Sequence, residues 1–269
     1  MAELTVRRSQ ATAQYFTEDL GNGVGLDMVL VPGGTFLMGS PPDEPQRAES
    51  EGPQHRVTVS TFLMGRYTVT QAQWRAVAEM TQVKISLKPD PANFKGANRP
   101  VERVSWYEAE EFCARLSVHT ERLYRLPSEV QWEYACRAGT QTPFYFGQTL
   151  TDEVANYRAT STYNNGPKGK YLKETVDVTH FGLANAYGLC DMHGNVWEWC
   201  ADHWHKNYDQ APMDGSPWLT ENSEARRVLR GGSWLNNPWY CRSASRSSYL
   251  PDDRDFIIGF RVSCEPPGL

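Results

Sequence analysis

Residues 187–204 read YGLCDMHGNVWEWCADHW, and this dense glycine and tryptophan segment sets the character of the chain. Regular structure is hard to read on either side of it. Residues 140–185 are rich in Tyr, Asn, Gly, Pro and Thr, and 201–224 form a polar loop. The whole chain repeats the pattern, with 9 Trp, 13 Tyr and 10 Phe beside 21 Gly and 17 Pro in 269 residues. That mixture describes a loop-rich, aromatic-cored protein and not a helical bundle. The length suffices for one large domain with a real core, and no internal repeat or linker divides it.

Charge and hydropathy remove several classes. A formal charge of −5, a pI near 5.7 and a mean hydropathy of −0.58 lack the basic footprint of a nucleic-acid binder. No run of about 18 apolar residues exists, so no membrane insertion is expected. The N-terminal MAELTVRRSQATAQYF has two arginines but no apolar run behind them, so no secretory signal is expected. A cytoplasmic protein follows, whose cysteines at 113, 136, 190, 200, 241 and 264, with no CxxC pair, are reduced and buried. Residues 1–27 read as a polar N-terminal arm and 28–269 as the domain.

Outward from the central segment, MVLVPGGTFLMGS at 28–40 reads as strand, turn, strand, and HRVTVSTFLMGRY at 55–67 as another strand pair. Three short helices have capping-box spacing at their starts: Thr70 with Gln73, Ser105 with Glu108, and Ser128 with Gln131. Behind the caps, Trp74/Val77/Ala78, Ala109/Phe112/Cys113/Leu116 and Trp132/Ala135/Cys136 form core-facing stripes. Gly139 is placed to end the third helix in a left-handed conformation. RVLRGGSW and IIGFRVSC read as outer strands of one sheet with a long excursion between them.

MVLVPGGTFLMGS, VTQAQW, RPVERVSWYEAEEFC, YRLPSEVQWEYACRAG, YGLCDMHGNVWEWCADHW, RVLRGGSW and GFRV occur in the order seen in formylglycine-generating-enzyme (sulfatase-modifying factor) domains. The resemblance runs from about Met28 to Val262. It implies an irregular, loop-rich α+β fold of the formylglycine-generating-enzyme/C-type-lectin-like kind. Enzymes of that family use two cysteines that bind Cu(I), since paired soft thiolates select that ion. Their pattern resembles RGGS-x-x-C-H-x-x-Y-C. Here Cys241 matches the second cysteine, but Asn236 stands at the first and Asn237 replaces the histidine. No copper is expected, nor formylglycine-generating activity.

A narrower resemblance covers GSWLNNPWYCRSASRSSYLPDDRDFIIGFRV, which looks like the variable region of a diversity-generating-retroelement protein on this fold. Such systems mutate adenines in a template rich in AAC asparagine codons. Leu235, Asn236, Asn237, Tyr240, Ser245, Ser247, Ser248, Tyr249, Leu250, Asp253, Asp255, Phe256 and Ile257 are all reachable from AAC, and Trp239 from an Arg or Lys codon. Between them stand Gly232, Ser233, Cys241, Arg242, Ala244, Arg246, Pro251, Arg254, Gly259, Phe260 and Arg261 as framework. Residues 234–258 would then be a variable ligand-binding region. Its aromatics among Ser, Asn and Asp have the composition of a paratope. The expected ligand is a protein. The rival readings are a non-diversified binding or scaffold paralogue, with most of 235–257 buried, and the copper oxidase.

The family resemblance also implies structural calcium, held by side-chain oxygens of Asp191 and Glu198 and the carbonyls of Gly194 and Val196. A second such site would use Asn156, the Tyr157 carbonyl and the Asn164-Asn165-Gly166 turn. Independently, Asp202, His203 and His205 place two imidazoles at i, i+2 with a carboxylate, a set that suits a transition metal. GNGVGL at Gly21 lacks GxGxxG spacing, no GKS or GKT occurs, and no Ser/His/Asp motif is present, so nucleotide binding and serine hydrolysis have no support.

Overall fold

The computed structural model describes residue 10 and residues 12–266. Its first strand, β1 (Tyr15–Asp19), corrects part of the expected arm. It pairs antiparallel with β2 (Gly25–Val31), from Tyr15↔Val29 to Asp19↔Gly25. One face of β1 is solvent and the other only half-buried, so its sequence alternates too weakly to stand out. Phe16 is the inward anchor, with Arg122 5.0 Å above its ring. Residues 1–9 and 11 of the expected arm lie outside the described residues.

Strand β2 pairs with β5 (Phe62–Gly65), which pairs with β11 (Ser263–Cys264), and β11 with β6 (Tyr124–Arg125). The result is a five-stranded antiparallel sheet. β3 (Gly34–Met38) pairs instead with β4 (His55–Val59). The phrase at 28–40 therefore does form two strands, but it feeds two sheets and not one hairpin.

All three capping boxes form. α1 (Gln71–Ala78), α2 (Trp106–Thr120) and α3 (Glu129–Arg137) each start with the cap hydroxyl accepting the N3 amide and the N3 side chain returning to the cap amide. α1 and α2 pack under the five-stranded sheet, where Trp74 stacks on Phe112 at 5.7 Å and Phe260 meets both rings edge-on. At the end of α3, Ala138 takes the left-handed conformation (φ 44°) before Gly139 (φ 88°), so the turn begins one residue earlier than the glycine suggested.

A four-stranded sheet carries the C-terminal half. Its order is β10 (Ile258–Gly259), β7 (Trp197–His203), β8 (Arg227–Arg230) and β9 (Arg246–Tyr249), with β10 parallel to β7 and the other pairs antiparallel. The expectation of two outer strands is corrected. β8 is internal, and the excursion supplies its own edge strand, β9. IIGFRVSC divides between sheets because Phe260 and Val262 bond across to Val69 and Gly65 on the way to β11. No described helix is long and apolar enough to cross a membrane.

Candidate functional site

The chain leaves β8 through Gly231 and Gly232, both left-handed (φ 96° and 74°). Glycine is required here twice over, since a Cβ on Gly232 would collide with the Cys241 sulfur. A 3₁₀ turn at Pro238–Cys241 and strand β9 follow, then a turn through Pro251 into β10.

Buried arginines fix this excursion. Arg242 donates to Glu44 and to both oxygens of Glu51, at 2.5, 2.8 and 2.7 Å, and to the Gln46 and Trp239 carbonyls. Arg246 grips Glu129 with two bonds of 2.6 and 2.8 Å. Arg230 bonds the carbonyls of Ser243, Ala244 and Ser245 and pairs with Glu133. A guanidinium out of water is tolerable only when each face finds such partners. Arg254, by contrast, is an exposed pair with Glu108.

The positions read as variable divide by exposure. Leu235, Tyr240, Leu250 and Phe256 are exposed. Asn236, Asn237, Trp239, Ser247, Ser248, Tyr249, Asp253 and Asp255 are half-buried. Ser245 and Ile257 are buried, which corrects their reading as contacts. Ser245 is held between the Arg242 carbonyl and Arg230, and Ile257 sits in the main core with its carbonyl on the Trp197 amide. Asp253 accepts the Leu250 amide at 2.9 Å and Asp255 the Ile257 amide at 3.2 Å, so both also shape their own turns. Trp239 packs partly against a small cluster containing Phe144, Tyr157 and Cys241.

Sequence reasoning missed what lies beside these loops. Buried Trp234 touches Phe94 (5.4 Å between centroids), Phe256 (5.8 Å) and Tyr171 (6.1 Å), and Arg158 sits 5.9 Å over Tyr171. Phe94, Arg158 and Tyr171 come from distant loops with no periodicity, so nothing local marks them. His193 was likewise overlooked. Its Nδ1 donates to the Cys241 carbonyl at 2.7 Å and its Nε2 accepts the Tyr145 amide at 3.1 Å. Burial pushes its pKa down to about 3, so it stays neutral and ties residues 191–198 to the base of the excursion.

The metal readings fare differently from the display positions. Cys241 is the one thiol at the copper position, it is fully buried, and burial pushes its pKa up. With Asn236 in place of a second thiolate, the residues do not fit Cu(I). Glu198 is bound through both oxygens by Arg261 (2.6 and 2.8 Å) and by the Trp132 indole (2.7 Å). Of the two carboxylates in this set, Asp191 alone keeps a buried oxygen without a partner. Asp191, Gly194, Val196 and Glu198 therefore do not present the free oxygen cage expected for calcium, because a guanidinium already neutralises Glu198. Asn156 borders a cavity that Lys170 also lines and the 164–166 turn does not, so the second oxygen set is not brought together there.

Asp202 accepts the Glu129 and Trp218 amides at 2.7 and 2.8 Å, and His203 Nδ1 accepts the Thr220 amide. His205 stacks on Trp218 at 3.5 Å. Among the described residues no group of three or more His, Cys, Asp or Glu is placed to hold a metal. The Asp202/His203/His205 reading is corrected accordingly.

A mixed, sheet-rich and loop-rich domain with a buried arginine framework is the class that fold and site define. Residues 18–265 match the sulfatase-modifying factor enzyme 1-like domain, and the chain belongs to that family. It is 30% identical to the formylglycine-generating enzyme of Mus musculus, over 96% of this chain and 82% of that protein. The structure of PvdO from Pseudomonas aeruginosa superposes with a TM-score of 0.79 at 33% identity, over 93% of this chain and 98% of that one. Treponema denticola variable protein 1 superposes with a TM-score of 0.76 at 25% identity, over 95% and 100% of the two chains. Relatives carry names of both kinds, formylglycine-generating enzymes and proteins called inactive.

Proposed function

We propose that this chain is a non-catalytic, cytoplasmic binding protein whose C-terminal excursion displays a recognition surface varied by a diversity-generating retroelement, with a protein as ligand. The observation that carries the reading is the split in exposure along residues 235–256. Exposed Leu235, Tyr240, Leu250 and Phe256 flank buried Arg242 and Arg246, which hold the backbone through Glu44, Glu51 and Glu129 outside the excursion. Side chains that face solvent on a fixed frame tolerate replacement. The similarity to Treponema denticola variable protein 1 supports the same reading. Rigid aromatics beside Ser, Asn and Asp suit a protein surface, giving contact area at low entropy cost.

A scaffold in which most of 235–257 is core accords less well with that exposure. Oxidase activity is disfavoured by Asn236. Sequencing the neighbouring DNA tests the proposal: a near-repeat differing from codons 234–258 only at adenines, beside a reverse transcriptase gene, is expected. Differences at other bases would remove it. Loading the protein with Cu(I) and supplying a cysteine-containing sulfatase-motif peptide should give no turnover; formylglycine formation would overturn the non-catalytic reading.

A further inference from the structure

Two segments outside the excursion meet its edge, and their side chains are fixed whatever residues 235–257 hold. The half-buried rings of Phe94 and Tyr171 lie 5.4 and 6.1 Å from the ring of buried Trp234. Phe256, 39% exposed, lies 5.8 Å from Trp234 and 6.4 Å from Phe94. Phe94 is pinned from both sides, its amide donating to Glu102 at 2.8 Å and its carbonyl accepting from Gln71 at 2.6 Å. Arg99 joins the two segments by donating to the Glu174 carboxylate (2.8 Å) and the Thr175 carbonyl (2.6 Å). The Arg158 amide donates to the carbonyl of display residue Asn236 at 2.9 Å. An aromatic shelf held this way is ordered before any ligand arrives, so binding pays little to order it.

At one end of the shelf the exposed Arg158 guanidinium sits 5.9 Å over the Tyr171 ring. Among the described residues it has no acidic partner and no side-chain hydrogen bond, and Glu174 is taken by Arg99. A guanidinium over a ring keeps its N–H edge free for a planar carboxylate. The segment that carries it, 158–173, has four basic residues and no acidic one, in a chain whose formal charge is −5. Shelf and guanidinium side by side suit an apolar side chain with a carboxylate next to it. A nucleic acid suits them less, because a chain of that net charge repels a long polyanion. Resting on the reading of the excursion as a recognition surface, we propose that Phe94, Arg158 and Tyr171 form a constant subsite beside it. The subsite takes a protein segment in which an apolar residue adjoins an acidic one, with the apolar group on the Phe94/Trp234/Tyr171 shelf and the carboxylate on Arg158.

Calorimetric titration of the whole chain with the peptide acetyl-Glu-Asp-Phe-Asp-Glu-amide tests this. Saturable binding is expected, and about tenfold or more weaker binding when Ala replaces the Phe or Lys replaces the acids. Arg158→Glu, at an exposed side chain that bonds nothing, should weaken the peptide at least about tenfold at an unchanged thermal midpoint. Arg56→Glu, an equal charge change at an exposed position of β4, should leave binding as it was. Four results would overturn the assignment: no saturable binding up to about 5 mM; equal binding of the Ala or Lys peptide; equal affinities in the two variants; or tighter binding of oligothymidylate, in favour of a nucleic acid. Failure of the near-repeat search is a separate outcome, since it removes diversification while an Arg158-dependent titration still upholds the subsite.

Discussion

Glu102 is fully buried, and its Oε1 accepts the Asn93 and Phe94 amides at 2.5 and 2.8 Å while Oε2 has no partner. Burial pushes its pKa up to about 7, against the pull of those two amides. A carboxyl whose folded pKa lies above its unfolded one destabilises the fold as pH rises from about 4.5 through 7, and the full cost applies above 7. Glu102→Gln should therefore raise stability at pH 8 by about 1–3 kcal/mol and lose that advantage at pH 5. Thermal midpoints across that range check it; a constant difference would not fit. Asp191, also pushed up to about 7 by burial, sits where calcium was expected. Because Arg261 already satisfies Glu198, adding calcium or EGTA should leave the midpoint unchanged in both the parent and Asp191→Asn. Stabilisation by calcium that vanishes in the variant would restore the ion to this place.

Helix starts were the most legible elements, because a capping box is a contact between residues three apart and needs no tertiary partner. Ser105→Ala removes the hydroxyl that accepts the Glu108 amide and should cost about 1 kcal/mol in urea unfolding. The loop at 41–53 is charged and proline-rich, the composition of a surface segment. In the fold its Glu44 and Glu51 are buried on Arg242, nearly two hundred residues away, so nothing local could mark them. Arg242→Ala strands two buried carboxylates and should cost about 3–5 kcal/mol, with the loop and the 3₁₀ turn at 238–241 loosened together. Hydrogen exchange of both segments reads that outcome; loosening of one without the other would contradict the coupling. β9 was illegible for the opposite reason. Arg246-Ser-Ser-Tyr249 has no apolar alternation, and its order comes from β8 and from Arg246 on Glu129.

At the scale of the whole molecule, the separation of displayed from framework positions has a direct consequence. Replacing Tyr240 and Leu250 together by Ser should shift stability by no more than about 0.5 kcal/mol per site, while Ile257→Asp, in the core, should unfold or severely destabilise the chain. Calorimetry of the two variants distinguishes a display surface from a scaffold, which would be damaged by both. The sequence by itself determined the family, the aromatic and glycine-rich character, the three caps, the core-facing Trp74 and Trp132, and the absence of a second copper cysteine. Each of these is a property of residue type, or of residues close along the chain. Tertiary structure alone decided that Ser245 and Ile257 are inside, that Glu198 belongs to Arg261, and that Phe94, Arg158 and Tyr171 flank the display loops. Those outcomes depend on which distant segments meet, and in a loop-rich fold no periodicity carries that information.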